Sequence, residues 1–189
     1  TDLRSIDGGA VSTHPGLLGS LMVGLNTARA LAFASGKPLI EVNHLAAHMY
    51  SIHLTSDVVY PVLGLVVSGG HTLLLRSESP TDITILGTTI DDACGEAFDK
   101  AAKHLGLGYP GGPAIDRLAK EGDENAIEYP VSLLDREENR YNFSYSGLKT
   151  AVIYHTARYA RKKEPSTADI CASFQKAALT PLYLKTKLA

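Results

Sequence analysis

Residues 62–75 restrict the fold most sharply. Val62-Leu63-Gly64-Leu65-Val66-Val67 is an unbroken apolar run of strand length, Ser68-Gly69-Gly70 is a turn, and Thr72-Leu73-Leu74-Leu75 is a second apolar run. Continuous rather than alternating hydrophobicity predicts a strand covered on both faces. The rest of the chain must therefore supply covering elements, and its apolar spacing is largely helical.

The pattern on either side reads as an α/β protein. Gly9 to Thr13 and Leu39 to Val42 are predicted short strands, separated by a helix from Leu17 to Ala34 that Gly36 and Pro38 close. A further helix holds His44 and His48 and ends near Leu54, and Asp82 to Thr88 is a third strand after the hairpin. Helices are predicted at Ala93–Leu105, Ala114–Lys120, Gly147–Lys162 and Thr167–Lys187, with an irregular polar stretch from Glu121 to Asn142. The change of texture near residues 56–60 predicts two lobes, 1–58 and 59–189.

Composition excludes several classes. Of 189 residues, 44% are apolar and 20% charged, an ordinary globular balance, and no run reaches transmembrane length. A net charge of −2 offers no bulk attraction to nucleic acid or an anionic membrane, so any RNA contact needs a local patch or a partner. Cys94 and Cys171 are too few and too far apart for a disulfide framework, which fits a reducing, cytoplasmic setting. No signal peptide opens the chain; Thr1 is not an initiator Met and Leu188-Ala189 ends inside a helical pattern, so a piece of a longer protein is expected.

His44 and His48 lie four apart, which on a helix places both imidazoles on one face. Two neutral ring nitrogens so placed suit one transition metal. Helix metalloproteases share this spacing but put a Glu after the first His as general base, and Leu45 stands there. Alone, the same spacing more often marks two polar-tipped residues on a half-buried helix.

Other segments hold candidate ligand groups. The Ser68-Gly69-Gly70-His71-Thr72 turn lets backbone N–H groups meet an anion, with the Ser68 and Thr72 hydroxyls as added donors; a plain glycine hairpin is the alternative. Along Asp91–Lys100, Asp92 is expected to cap a helix and Glu96 to pair with Lys100, whereas Asp99 between apolar neighbours suits ligand hydroxyls. Tyr109-Pro110-Gly111-Gly112-Pro113 precedes a helix whose first N–H groups face outward, with Asp116 close behind. Ser146 reads as an N-cap, and Lys149 as either ordinary or a contact to an anionic ligand or RNA. Arg158, Arg161, Lys162 and Lys163 form a basic cluster that usually means a solvated helix end.

Taken in order, His44-Leu45-Ala46-Ala47-His48, Ser68 to Thr72, Asp91 to Lys100, Tyr109 to Pro113, Ser144-Tyr145-Ser146-Gly147-Leu148-Lys149-Thr150 and Ala172-Ser173-Phe174-Gln175 resemble the TsaD (Gcp) family. These are tRNA adenosine threonylcarbamoyltransferases, formerly classed as O-sialoglycoprotein endopeptidases. The resemblance implies an actin-like ATPase (ASKHA, ribonuclease H-like) fold of two lobes, incomplete here at both ends. It implies transfer of threonylcarbamoyl from threonylcarbamoyl-AMP to N6 of the adenine 3′ of the anticodon, with tRNA and TsaB- and TsaE-type proteins as partners and no membrane. One iron or zinc is implied on His44, His48 and an Asp beyond this chain. Ligand contacts are implied at Val66, Val67, Ser68, Gly69, Gly70, Asp99, Gly112 and Asp116, with His71, Glu96 and Lys149 as further candidates.

Two departures stand out: Ala46 replaces the Glu usual inside the His motif, and His14-Pro15-Gly16 replaces Gly-Pro-Gly. The first phosphate loop and the third metal ligand are also expected outside the chain, which is then inactive by itself. The rival readings are a metal-dependent glycoprotein endopeptidase, a non-catalytic actin-like nucleotide-binding scaffold and a small-molecule kinase.

Overall fold

Parallel strands cannot be joined by a tight turn, and the first two strands show the consequence. In the computed structural model, which describes residues 3–132, 137–159 and 165–189 (backbone alone at 158 and 159), β1 (Gly9–His14) and β2 (Leu39–Asn43) pair in parallel with Gly9 opposite Leu39 and Ser12 opposite Val42. The crossover is α1 (Leu18–Ser35), ended by Gly36 in the left-handed region at φ 66. Leu21, Leu25, Ala28 and Ala32 form its half-buried stripe, while Phe33 is 93% exposed. β2 runs directly into α2 (His44–Tyr50), which continues as a 3-10 turn over Ser51–Leu54. The helix expected to reach Leu54 thus tightens after Tyr50.

The chain divides into two compact units, Thr1–Val59 and Tyr60–Ala189. The second begins with an antiparallel sheet of β3 (Val62–Val67), β4 (Thr72–Ser79) and β5 (Asp82–Thr88), in that spatial order. Val67 faces Thr72 and Leu65 faces Leu74 across the hairpin. The expected double coverage belongs to β4 rather than β3. Thr72, Leu73, Leu74 and Leu75 are all buried, whereas along β3 exposure alternates, with Leu63, Leu65 and Val67 about two-fifths exposed. β4 is central and β3 is an edge; position in the sheet, not apolarity, decided burial. β4 also runs on to Ser79 through polar residues that carry no apolar signal.

Among the described residues this unit also holds four α-helices: α3 (Cys94–His104), α4 (Gly111–Ala119), α5 (Ser146–Tyr159) and α6 (Thr167–Leu188). Their core includes Phe143, Tyr145, Val152, Phe174 and Ile115, each at most 1% exposed, together with Leu74 from the sheet. Burying such side chains contributes about 1.5–3 kcal/mol each. Phe98 of α3 meets Phe174 of α6 edge to face at 5.0 Å. α6 starts with a reciprocal cap: Ser166 Oγ accepts from Asp169 N–H at 3.1 Å, and Asp169 accepts from Ser166 N–H at 3.0 Å. Phe143 joins the end of β5 through Phe143 N–H to Thr88 O and Ile90 N–H to Phe143 O, both 2.9 Å. That join sets the start of α5 beside the start of α3. No described helix is long and apolar enough to cross a membrane.

Candidate functional site

β2 delivers Asn43 in extended conformation, and its side chain accepts from the N–H groups of Leu45 and Ala46 at 2.8 and 3.1 Å. This cap starts α2 at His44 itself, so both histidines lie in its first turn and a half. The Nε2 atoms of His44 and His48 are 3.2 Å apart, with ring centroids at 4.5 Å and planes at 67°. An ion held at the usual bond length of about 2.0–2.1 Å from each nitrogen would subtend roughly 100°, close to tetrahedral. Two neutral imidazole nitrogens so spaced suit a divalent transition metal. Among the described residues no group of three His, Cys, Asp or Glu is placed to hold a metal.

The glycine turn belongs to the other unit. Ser68 N–H donates to His71 O at 2.8 Å, and His71 N–H to Ser68 Oγ at 3.1 Å. A Cβ added at Gly69 or Gly70 would meet nothing within 4 Å, so the space over the turn is open. The Thr72 hydroxyl, expected as a ligand donor, is buried and accepts the Cys94 N–H at 2.8 Å. It is committed to anchoring α3.

Close glycine contacts then stack the candidate groups. A Cβ at Gly95 would lie 2.5 Å from Ser68 O, so the first turn of α3 rests on the glycine turn. A Cβ at Gly111 would lie 2.7 Å from Asp99 Cα and from Ala102 Cβ, so α4 starts against α3. Asp99 Oδ1 accepts the Gly111 N–H at 2.7 Å, satisfying one of the donors at the start of α4. Asp99 also lines a cavity of about 530 Å³ with Glu96, Lys100, Lys103, Gly106, Gly108 and Tyr109. The site of a Cβ on Gly112 is open. One α-helical turn further on, Asp116 accepts from Lys120 at 2.9 Å and from Gln175 Nε2 at 3.2 Å. The Lys120 ammonium, then Gln175, hold its carboxyl below the ordinary value.

Two capping expectations are corrected, one at the start of α3 and one at the start of α5. Asp92 does not cap the helix: Ala93 is the N-cap residue, and Glu96 reaches back to its N–H at 3.4 Å while pairing with Lys100 at 2.8 Å. Asp92 instead accepts from Lys100 at 2.6 Å and Lys149 at 2.8 Å. Burial pushes its carboxyl up, but the bonds and charges of the two lysines outweigh that and hold it below the usual range. Ser146 is the first residue of α5 rather than its cap; Asp91 accepts from Tyr145 N–H at 2.8 Å, Ser146 N–H at 3.4 Å and the Ser144 hydroxyl at 2.6 Å. Burial lifts both Cys94 and Cys171 thiols to about 11, so neither is a ready nucleophile.

Sequence reasoning missed Asp91, Gly95 and Gln175 as placing residues. The only signal for Gly95 is a glycine in a first helical turn without a backbone need for it. Of the basic cluster, Arg161, Lys162 and Lys163 lie outside the described residues, and Arg158 is described in its backbone alone.

A model of the family "TsaD: tRNA N6-adenosine threonylcarbamoyltransferase" matches residues 1–189. The chain belongs to the TsaD family. Proteins of that name from Brachyspira hyodysenteriae and Borrelia garinii subsp. bavariensis are 53% and 49% identical over 187 residues, covering 98% and 96% of this chain and 55% of each relative. One from Borreliella burgdorferi is 48% identical over 190 residues, covering 100% of the chain and 55% of the relative. The chain thus spans about half the length of the TsaD relatives it matches.

Proposed function

We propose that the protein carrying this chain transfers the threonylcarbamoyl group of threonylcarbamoyl-AMP to N6 of the adenine 3′ of the anticodon, in tRNAs that read codons beginning with A. The observation that carries the reading is the 3.2 Å Nε2–Nε2 separation of His44 and His48 within a chain that matches the TsaD family from end to end. In the reaction the adenine N6 attacks the carbamoyl carbon, a C–N bond forms, the C–O bond to the phosphate breaks, and AMP leaves while N6 loses a proton. The donor is a mixed anhydride, so no enzyme nucleophile is needed, in keeping with two thiols held protonated.

His44 and His48 would hold iron or zinc, with a third ligand supplied from outside these residues. When bound, the ion supplies Lewis acidity toward the carbamoyl carbonyl and a template for the donor. Val66, Val67 and the Ser68–Gly70 turn seat the donor's phosphate, with His71 and Glu96 at its margin. Asp99 and Asp116 accept from nucleoside hydroxyls, and Gly112 lets the ligand approach the start of α4. The two units belong to the lobes of an actin-like fold, and the reaction sets the protein in the cytoplasm with tRNA and TsaB- and TsaE-type partners. Leu45, in place of a Glu after His44, disfavours a peptidase.

Replacing both His44 and His48 by Ala in the full-length protein is expected to abolish bound metal and threonylcarbamoyl transfer together. Elemental analysis beside a transfer assay on unmodified tRNA reads both. Normal transfer by a metal-free double variant overturns the metal role; absence of transfer by the unaltered protein overturns the reaction.

A further inference from the structure

Asp92 stands where three segments meet. Its two oxygens are taken by Lys100 of α3 at 2.6 Å and Lys149 of α5 at 2.8 Å, and only 14% of its side chain is exposed. Its own carbonyl accepts the Thr89 hydroxyl at 2.6 Å. Two residues on, Cys94 is bonded to Thr72; three residues on, Gly95 packs on Ser68 and Gly69. The carboxylate is therefore built into the same start of α3 that supports the glycine turn.

Lys149 is oddly placed for a merely structural cation. It is the fourth residue of α5, where the helix dipole disfavours positive charge. Asp92 takes one of its three donors, and a quarter of its side chain is exposed. Asp92, Glu96, Lys100 and Lys149 sum to zero charge. The lysines can therefore wait without an unpaired buried charge and pass a bond to an arriving anion.

We propose that Lys149 is a phosphate-binding residue and Asp92 its positioning residue: the Asp92 carboxylate holds the Lys149 and Lys100 ammonium groups at the start of α3, where Lys149 meets the phosphate of a nucleotide seated on the Ser68–Gly70 turn. This rests on the donor reading above and adds to it the cation that the neutral N–H groups of the turn do not supply.

Calorimetric titration of AMP into the full-length protein tests it. Lys149→Gln is expected to weaken AMP binding about tenfold or more, the loss of one charge-assisted hydrogen bond. Asp92→Asn weakens it in the same direction and Asp92→Glu restores most of the loss. The double variant Asp92→Asn/Lys149→Gln binds no worse than Lys149→Gln alone, because Asp92 acts on the phosphate only through Lys149. In transfer assays the single changes raise KM for the donor and leave KM for tRNA unmoved, a split that general damage does not produce. If Asp92→Asn fails to fold by circular dichroism, the part-exposed Lys149→Gln decides alone. AMP affinity unchanged in Lys149→Gln, or additive losses in the double variant, overturns the inference and leaves the donor reading standing. No AMP binding by the unaltered protein overturns both.

Discussion

Two glycines that look alike in the sequence do opposite things. Gly95 has no room for a side chain, because a Cβ would press on the backbone of Ser68 and Gly69. Gly112 has open space and a backbone that any residue adopts. Gly95→Ala is expected to cost about 2 kcal/mol, since neither backbone can yield without shifting the turn. Gly112→Ala is expected to leave stability within about 0.5 kcal/mol or raise it, alanine being the better helix former. Urea midpoints separate the two, and on the proposed reading only Gly112→Ala combines normal stability with weakened AMP binding. The spacing of His44 and His48 was legible because helical periodicity alone sets it. The duties of Gly95 and Asp91 were not, because their partners lie far along the chain. Asp92 also links to pH. Its folded-state carboxyl lies below the unfolded value near 3.9, so its stabilisation is complete above that pH and is lost as pH falls toward the folded value. The stability gap between the unaltered protein and Asp92→Asn is therefore expected to be largest at pH 6 and to shrink by pH 3; a gap constant in urea titrations at both pH values contradicts the pairing.

Among the elements, the start of α5 shows how a helix end is set from a distance. Its cap is not the serine next to it but Asp91, more than 50 residues earlier, which reaches Tyr145 N–H, Ser146 N–H and the Ser144 hydroxyl. Asp91→Ala is expected to destabilise by about 1–2 kcal/mol, the range of a lost N-cap. Hydrogen exchange is expected to quicken first at the N–H groups of Tyr145 and Ser146. Protection unchanged at these amides contradicts the assignment. β3 carries the related lesson. Its apolar run announced a strand correctly, but an edge place left Leu63, Leu65 and Val67 partly open, while β4, whose last residues are polar, took the centre. Periodicity reports the conformation of an element, and neighbours decide how much of it is covered.

At the scale of the molecule, the two units differ in what they bury. No described residue of Thr1–Val59 falls in the buried class, whereas Tyr60–Ala189 holds the whole buried cluster from Leu74 to Leu182. Ordering each residue costs about 1–2 kcal/mol of backbone entropy, which only such burial offsets. Residues 60–189 expressed alone are thus expected to melt cooperatively, and residues 1–59 alone to show no cooperative transition; calorimetry on each reads the outcome. The amino-acid order by itself determined the alternation of helices and strands, the one-face histidine pair and the open glycine turn. Each of these depends on local conformational preference and spacing along a few residues. The tertiary structure alone decided that β4 is the buried strand, that Gly95 and Gly111 stack α3 between the turn and α4, and that Asp91 and Asp92 clamp α5. Those outcomes depend on steric exclusion and charge between residues brought together from distant parts of the chain, and sequence spacing does not encode such distances.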